Sequence, residues 1–161
     1  LADVAASPPA VLSYGLRRRV TLASLAAMDP PVLVLDEPTV GLDASGLVET
    51  FDWLAELHAK GRTIVLVTHD MSLAAEYADR VVAMLEGQII ASAPPAELFP
   101  QHELLSQTSL EAPPVLALAR ALARFGLKGD SLTVESFCNE YAALVEKRAP
   151  ARSPGEVEAA T

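Results

Sequence analysis

A single cysteine, Cys138, in 161 residues leaves no internal disulfide possible, so nothing ties the chain to an oxidising compartment. Basic residues are in deficit: 12 Lys and Arg stand against 21 Asp and Glu, a formal charge of −9. That balance speaks against a protein that wraps nucleic acid, and against a polybasic membrane-surface binder. No apolar stretch approaches the roughly 18 to 20 residues of a spanning helix. The longest, such as Thr63-Ile64-Val65-Leu66-Val67, have strand length. Residues 1–11 have neither a basic start nor an apolar centre, so no signal peptide is read there. The chain starts at Leu1 and not at methionine, which points to a processed product or a fragment. What the chain does have is apolar content: 51 % hydrophobic and 20 % charged, enough for a packed core and one domain's worth of length.

Hydrophobic patterning then predicts the elements. Ser7-Pro8-Pro9 marks an irregular entry, and Ser13 stands as N-cap of a helix running towards Met28, which Asp29-Pro30-Pro31 stops. Residues 32–35 are short, continuously apolar and half β-branched, the pattern of a parallel strand covered on both faces. Gly41-Leu42-Asp43 is a turn, with Asp43 capping a helix over Ala44–Ala59 that Lys60-Gly61 closes. A second buried strand is expected over 63–68, a helix over 71–78, and two strands, 81–85 and 88–92, around an Glu86-Gly87 hairpin turn. Alternating strand and helix indicates an α/β layer with parallel pairing. Beyond residue 100 helices dominate, at about 115–125 and 134–148, with a short one at 95–99 before them and a frayed tail from Pro150. The expected organisation is an α/β unit over 1–100 and a helical appendage over 101–161. Leu116, Ala119, Leu122 and Ala123 share a helix face, read as core packing ahead of subunit contact.

Three constellations could carry chemistry. Asp36-Glu37 ends a buried strand, where open α/β sheets place their ligands. One carboxylate can help hold Mg²⁺, which prefers oxygen ligands and keeps part of its water shell. The next can polarise a water for attack on a phosphoryl group. His69 ends the following strand, at the same sheet edge if the pairing is parallel, and could meet a phosphate oxygen or the attacking water. Ser13 and Gly15 open a helix, whose unpaired N–H groups and dipole favour anions, with Arg17-Arg18-Arg19 adding cations nearby. Each has a plain alternative: an acidic turn, a structural histidine, a capped helix with a solvated basic stretch.

Taken in order, Leu12-Ser13-Tyr14-Gly15-Leu16, the strand ending in Asp36-Glu37, Pro38-Thr39-Val40-Gly41-Leu42-Asp43 and Thr68-His69-Asp70 resemble four motifs of an ABC transporter ATP-binding subunit. These are the signature sequence, the Walker B strand, the D-loop and the switch histidine. The resemblance covers about residues 11–92. The tail is similar to the energy-coupling-factor, cobalt-type subgroup. The implied fold is a partial P-loop NTPase (ABC ATPase) domain, α/β with a mainly parallel sheet, plus a small helical appendage. The implied function is ATP hydrolysis driving uptake of a metal ion, cobalt or nickel, or a vitamin. By position, the resemblance makes Asp36 the Mg²⁺ residue, Glu37 the general base and His69 the γ-phosphate sensor. Asp43 would reach across a dimer interface, and Ser13 and Gly15 would bind ATP held by an opposite subunit. Partners would be a second ABC ATPase subunit, identical or different, and a transmembrane coupling protein, with the chain peripheral on the cytoplasmic face of the membrane and no nucleic acid involved.

The sequence departs from the family at Tyr14, where the signature has glycine, and at Leu16, where it has glutamine. No Gly-x-x-x-x-Gly-Lys-Ser/Thr occurs, so the loop that cradles the β- and γ-phosphates is missing. The chain therefore resembles the C-terminal half of the domain, and alone it is expected neither to hold ATP tightly nor to turn it over. The competing reading is a non-catalytic split or degenerate subunit that donates its signature motif to a partner ATPase. A DNA-repair or translation ATPase is disfavoured by the net charge and by the lack of heptad coiled coils or a second such domain.

Overall fold

The structure is a computed structural model and describes residues 2–108 and 110–148. Contacts divide it into two compact units, one running to His69 and the other beginning at Asp70. The expected tail from Pro150 lies outside the described residues.

The first unit opens with two short 3₁₀ turns, Ala2–Val4 and Pro9–Val11, in place of regular structure. Helix α1, Tyr14–Ala27, starts where Ser13 turns out of helical geometry and its hydroxyl accepts from the Leu16 N–H at 3.3 Å. Strand β1 is Val32–Asp36, helix α2 is Ala44–Ala59 and strand β2 is Thr63–Val67. Asp43 caps α2, its Oδ1 accepting from the Gly46 N–H at 2.8 Å. The two strands pair parallel, with Leu33 opposite Ile64 and Leu35 opposite Leu66. That register puts their inward residues on one face.

The expectation that these strands are covered on both faces is corrected. Leu33 and Leu35 are buried, and Leu33 shares a small cavity lining with Ala26 of α1 and Leu57 of α2. The alternate residues Val32, Val34, Val65 and Val67 are 42–62 % exposed. The apolar run reports residues suited to burial, but among the described residues the helices shield only the leucine side. Polar ties hold the layer: Arg19 pairs with Glu49 between α1 and α2 at 2.7 Å, and Arg62 with Asp29 at 2.6 Å beneath β1.

The second unit begins with helix α3, Met71–Tyr77, capped by Asp70, whose Oδ1 accepts from Ser72 and Leu73. Strands β3, Val81–Leu85, and β4, Gln88–Ala93, pair antiparallel around the Glu86-Gly87 turn. Their pairing is that of the expected hairpin and not of a further parallel strand. Helices α4, Pro95–Leu98, α5, His102–Gln107, α6, Pro114–Leu122, and α7, Val134–Arg148, follow. The pattern reading missed α5, which is too short to show a periodicity. A 3₁₀ turn at Ala123–Phe125 ends α6. The core of this unit joins Ala83 of β3 to Leu98, Phe99, Leu105 and Leu116, with Met71 and Leu132 packed against it. Leu116 and Ala119 are essentially inaccessible, so this part of the expected face is core, whereas Leu122 is half-buried and Ala123, in the 3₁₀ turn, is exposed.

Leu116 therefore fills the centre of the second unit, and Leu116→Ala should cost about 2–5 kcal/mol as transfer and cavity terms add. Urea unfolding followed by circular dichroism checks this, and a loss well under the lower bound would mean that the site collapses around the gap.

Candidate functional site

The first unit carries every candidate residue, from Ser13 to His69. The parallel ladder builds the centre of the site. Glu37 follows β1, and its N–H donates to the Val67 carbonyl at 2.8 Å, extending the β1–β2 pairing by one bond. His69 lies two residues beyond Val67. Its main-chain N–H donates to Glu37 Oε1 at 3.1 Å, and its Nδ1 lies 2.6 Å from the same oxygen. The expected common edge is thus observed as a direct carboxylate–imidazole contact. The histidine side chain is largely exposed while the glutamate is about two-thirds covered.

Two features of Glu37 were not legible in the sequence. Its φ is +45°, in the left-handed region that non-glycine residues rarely occupy. Its Oε2 is buried and has no hydrogen-bond partner among the described residues. Asp36, the last residue of β1, is exposed at the same rim.

The arginines behave differently from expectation. Arg18 does not extend towards an anion at the helix start. Its Nη2 donates to the main-chain carbonyls of Asp36 at 2.8 Å and Glu37 at 2.6 Å. Arg19 is committed to Glu49, so two of the three cations are used inside the unit. Arg17 is exposed.

The start of α1 lies against the turn that precedes α2. A Cβ on Gly15 would stand 3.4 Å from the Gly41 carbonyl oxygen, so Gly15 lies close against the neighbouring turn. Gly41 has φ +77°, and a side chain there would run into the Tyr14 ring. Tyr14, half exposed, therefore uses the space that glycine leaves at position 41. Ser13 and Asp43 are both exposed helix caps. Their hydroxyl and Oδ1 each already accept one backbone N–H.

No three His, Cys, Asp or Glu side chains converge among the described residues. One exposed carboxylate beside a second is instead the donor set that suits Mg²⁺, an ion that takes one or two carboxylates and fills its octahedron with water and phosphate. No helix among the described residues is long and apolar enough to cross a membrane.

The first unit thus sets a glutamate with positive φ against a histidine at the end of a two-stranded parallel edge, and the chain belongs to the ABC transporter ATP-binding proteins. It is 46 % identical over 121 residues to the energy-coupling factor transporter ATP-binding protein EcfA2 of Methanospirillum hungatei, covering 75 % of this chain and 30 % of that protein. Its identity to EcfA2 of Bacillus subtilis is 44 % over 142 residues, 86 % of this chain and 51 % of the relative. The chain thus spans about half the length of these relatives, or less. Among solved structures it is similar to cbiO1 of Clostridium perfringens, described as part of the ABC transporter complex cbiONQ. That similarity has a TM-score of 0.52 at 38 % identity, over 70 % of this chain and 45 % of that one. A family model described as "AAA domain, putative AbiEii toxin, Type IV TA system" matches residues 6–75. The fold is accordingly part of an ABC ATPase, a P-loop NTPase domain.

The Tyr14–Gly41 contact is open to a direct test. Gly41→Ala should destabilise the unit by about 1–2 kcal/mol for its left-handed backbone, with a further cost for displacing the ring. In a Tyr14→Ala background only the backbone part should remain. Equal urea-midpoint losses in both backgrounds would mean that the ring does not constrain this turn.

Proposed function

We propose that the chain is the catalytic C-terminal half of an ATP-hydrolysing subunit that drives an ABC-type importer. The observation that carries this reading is the contact of Glu37 Oε1 with His69 Nδ1 at 2.6 Å, which leaves the buried Oε2 as the second, unpartnered carboxylate oxygen. Glu37 is the general base: Oε2 accepts the proton of the water that attacks the γ-phosphate, while His69 holds the carboxylate through Oε1 and faces the same rim. Asp36 would hold Mg²⁺, which when bound neutralises charge on the phosphates. Ser13 and Gly15, at the open end of α1, bind the γ-phosphate of ATP seated on an opposing subunit, where unpaired N–H groups and the helix dipole favour an anion. Asp43 presents its outer carboxylate oxygen across that interface.

In this reading residues 1–100 complete a nucleotide-binding domain and residues 101–161 form an appendage. The chain works with a second ATPase subunit and a transmembrane coupling protein, peripheral on the cytoplasmic face of the membrane. The names of the relatives support an energy-coupling-factor importer; its solute, in this reading, is a metal ion such as cobalt or nickel, or a vitamin. The phosphate cradle comes from sequence that this chain does not contain, so the chain alone is inactive. A second reading, a non-catalytic donor of the signature motif, is favoured by the same missing loop. The retained and paired Glu37 and His69 weigh against it.

A general base contributes 10²–10⁴-fold, about 3–5 kcal/mol of barrier. The chain joined to an upstream half that carries a phosphate-binding loop should hydrolyse ATP, and Glu37→Gln should lower kcat by about that factor with KM little changed. Unchanged turnover in Glu37→Gln would remove Glu37 as the base and leave the donor reading standing.

A further inference from the structure

Glu37 is held through its backbone and its side chain together. Its N–H is bonded to Val67 of β2, its side chain to His69, and its carbonyl to Arg18. The first two tethers come from the strand next door and act on the amide and the carboxylate. Neither fixes the carbonyl, whose direction sets how the chain leaves the strand into Pro38 and which also accepts a long bond from the Val40 N–H at 3.4 Å, against 2.6 Å from Arg18. Arg18 reaches across from α1 and places two N–H groups of one nitrogen on two successive carbonyls, those of Asp36 and Glu37. Between those carbonyls lies the residue with φ +45°. A left-handed glutamate persists only where its surroundings over-determine it.

We propose that Arg18 is a positioning residue for Glu37: by clamping the two carbonyls it holds the left-handed turn that aims the carboxylate at His69. The inference rests on the proposed function only for what the aimed carboxylate then does. The contact explains why Arg18 is half-buried. It also places Arg18 on the helix that begins with Ser13 and Gly15, so one rigid element carries the anion-facing end and the clamp. Arginine suits this task better than lysine. Its planar head offers several N–H donors in a fixed fork, whereas an ammonium on a flexible stem is a single point of charge.

The readout is the proton position on His69, observed by nitrogen NMR of the ring in the 161-residue chain, at a fixed pH where the imidazole is neutral. The signal is assigned by its loss in His69→Gln. In the native chain Nδ1 should carry the proton, because it donates to Glu37. In Arg18→Met the turn relaxes, the carboxylate leaves, and the ring should move towards the Nε2–H form. Arg18→Lys should fall between them. A native proton position in a folded Arg18→Met chain would overturn the proposal.

A second measurement covers the case in which Arg18→Met folds poorly. Glycine occupies φ +45° without penalty, so the urea midpoint should fall more on Arg18→Met when residue 37 is glutamate than when it is glycine. Equal falls in the two backgrounds, or no recovery of folding in Glu37→Gly, would also overturn it. Neither measurement uses nucleotide. Failure of Glu37 as the base therefore shows only in turnover, and failure of the clamp only in these two readouts.

Discussion

The register of two parallel strands is the constraint on which the rest depends. Because β1 and β2 run in the same direction with Asp36 opposite Val67, whatever follows each strand emerges at one rim. Glu37 extends the ladder with one more hydrogen bond, and His69 arrives two residues later at the glutamate's side chain. A shift of one residue would turn Leu33 and Leu35 outward and carry the histidine away from the carboxylate. The burial of the leucines and the assembly of the site are thus fixed by the same event. Core packing sets the register, and the register brings the two functional groups together.

Around that rim, residues proposed to act on the nucleotide also stabilise local structure. Ser13 and Asp43 terminate helices by satisfying N–H groups that would otherwise be left open, each worth on the order of 1 kcal/mol. Asp70 does the same for α3 directly after His69, so the chain turns into a helix as soon as the histidine is placed. Tyr14 and Gly41 fit the start of α1 to the turn before α2, the ring occupying what a side chain at 41 would take. The resulting unit packs Leu22, Leu33, Leu35, Phe51 and Leu54 inside and carries the pairs Arg19 with Glu49 and Arg62 with Asp29 on its surface.

Much of this was legible in the residues. Asp43, with its helix over Ala44–Ala59 and the Lys60-Gly61 ending, could be read directly because cap, periodicity and stop signal agree. The Glu86-Gly87 hairpin and the shared edge of Glu37 and His69 were equally readable, the first from turn chemistry and the second from parallel pairing. Three things were not. Alternating valines and leucines look like a strand buried on both sides, since composition records what a residue tolerates and not what covers it. The arginine run looks like an anion site, because charge is visible in sequence while the direction of a long side chain is not; Arg18 and Arg19 turn inward to a backbone and to Glu49. The left-handed Glu37 had no signal at all, as nothing in its neighbours demands a positive φ.

The central claim is that this rim, with its paired glutamate and histidine, acts on a triphosphate cradled by another stretch of sequence. The most direct measurement is a crystal structure of the chain joined to an upstream half with a phosphate-binding loop, with Mg²⁺ and a non-hydrolysable ATP analogue bound. The account predicts Glu37 Oε2 turned towards the γ-phosphate through one water, with Nδ1 of His69 still on Oε1. A γ-phosphate seated away from that rim, or a glutamate swung off the histidine and facing solvent, would contradict it.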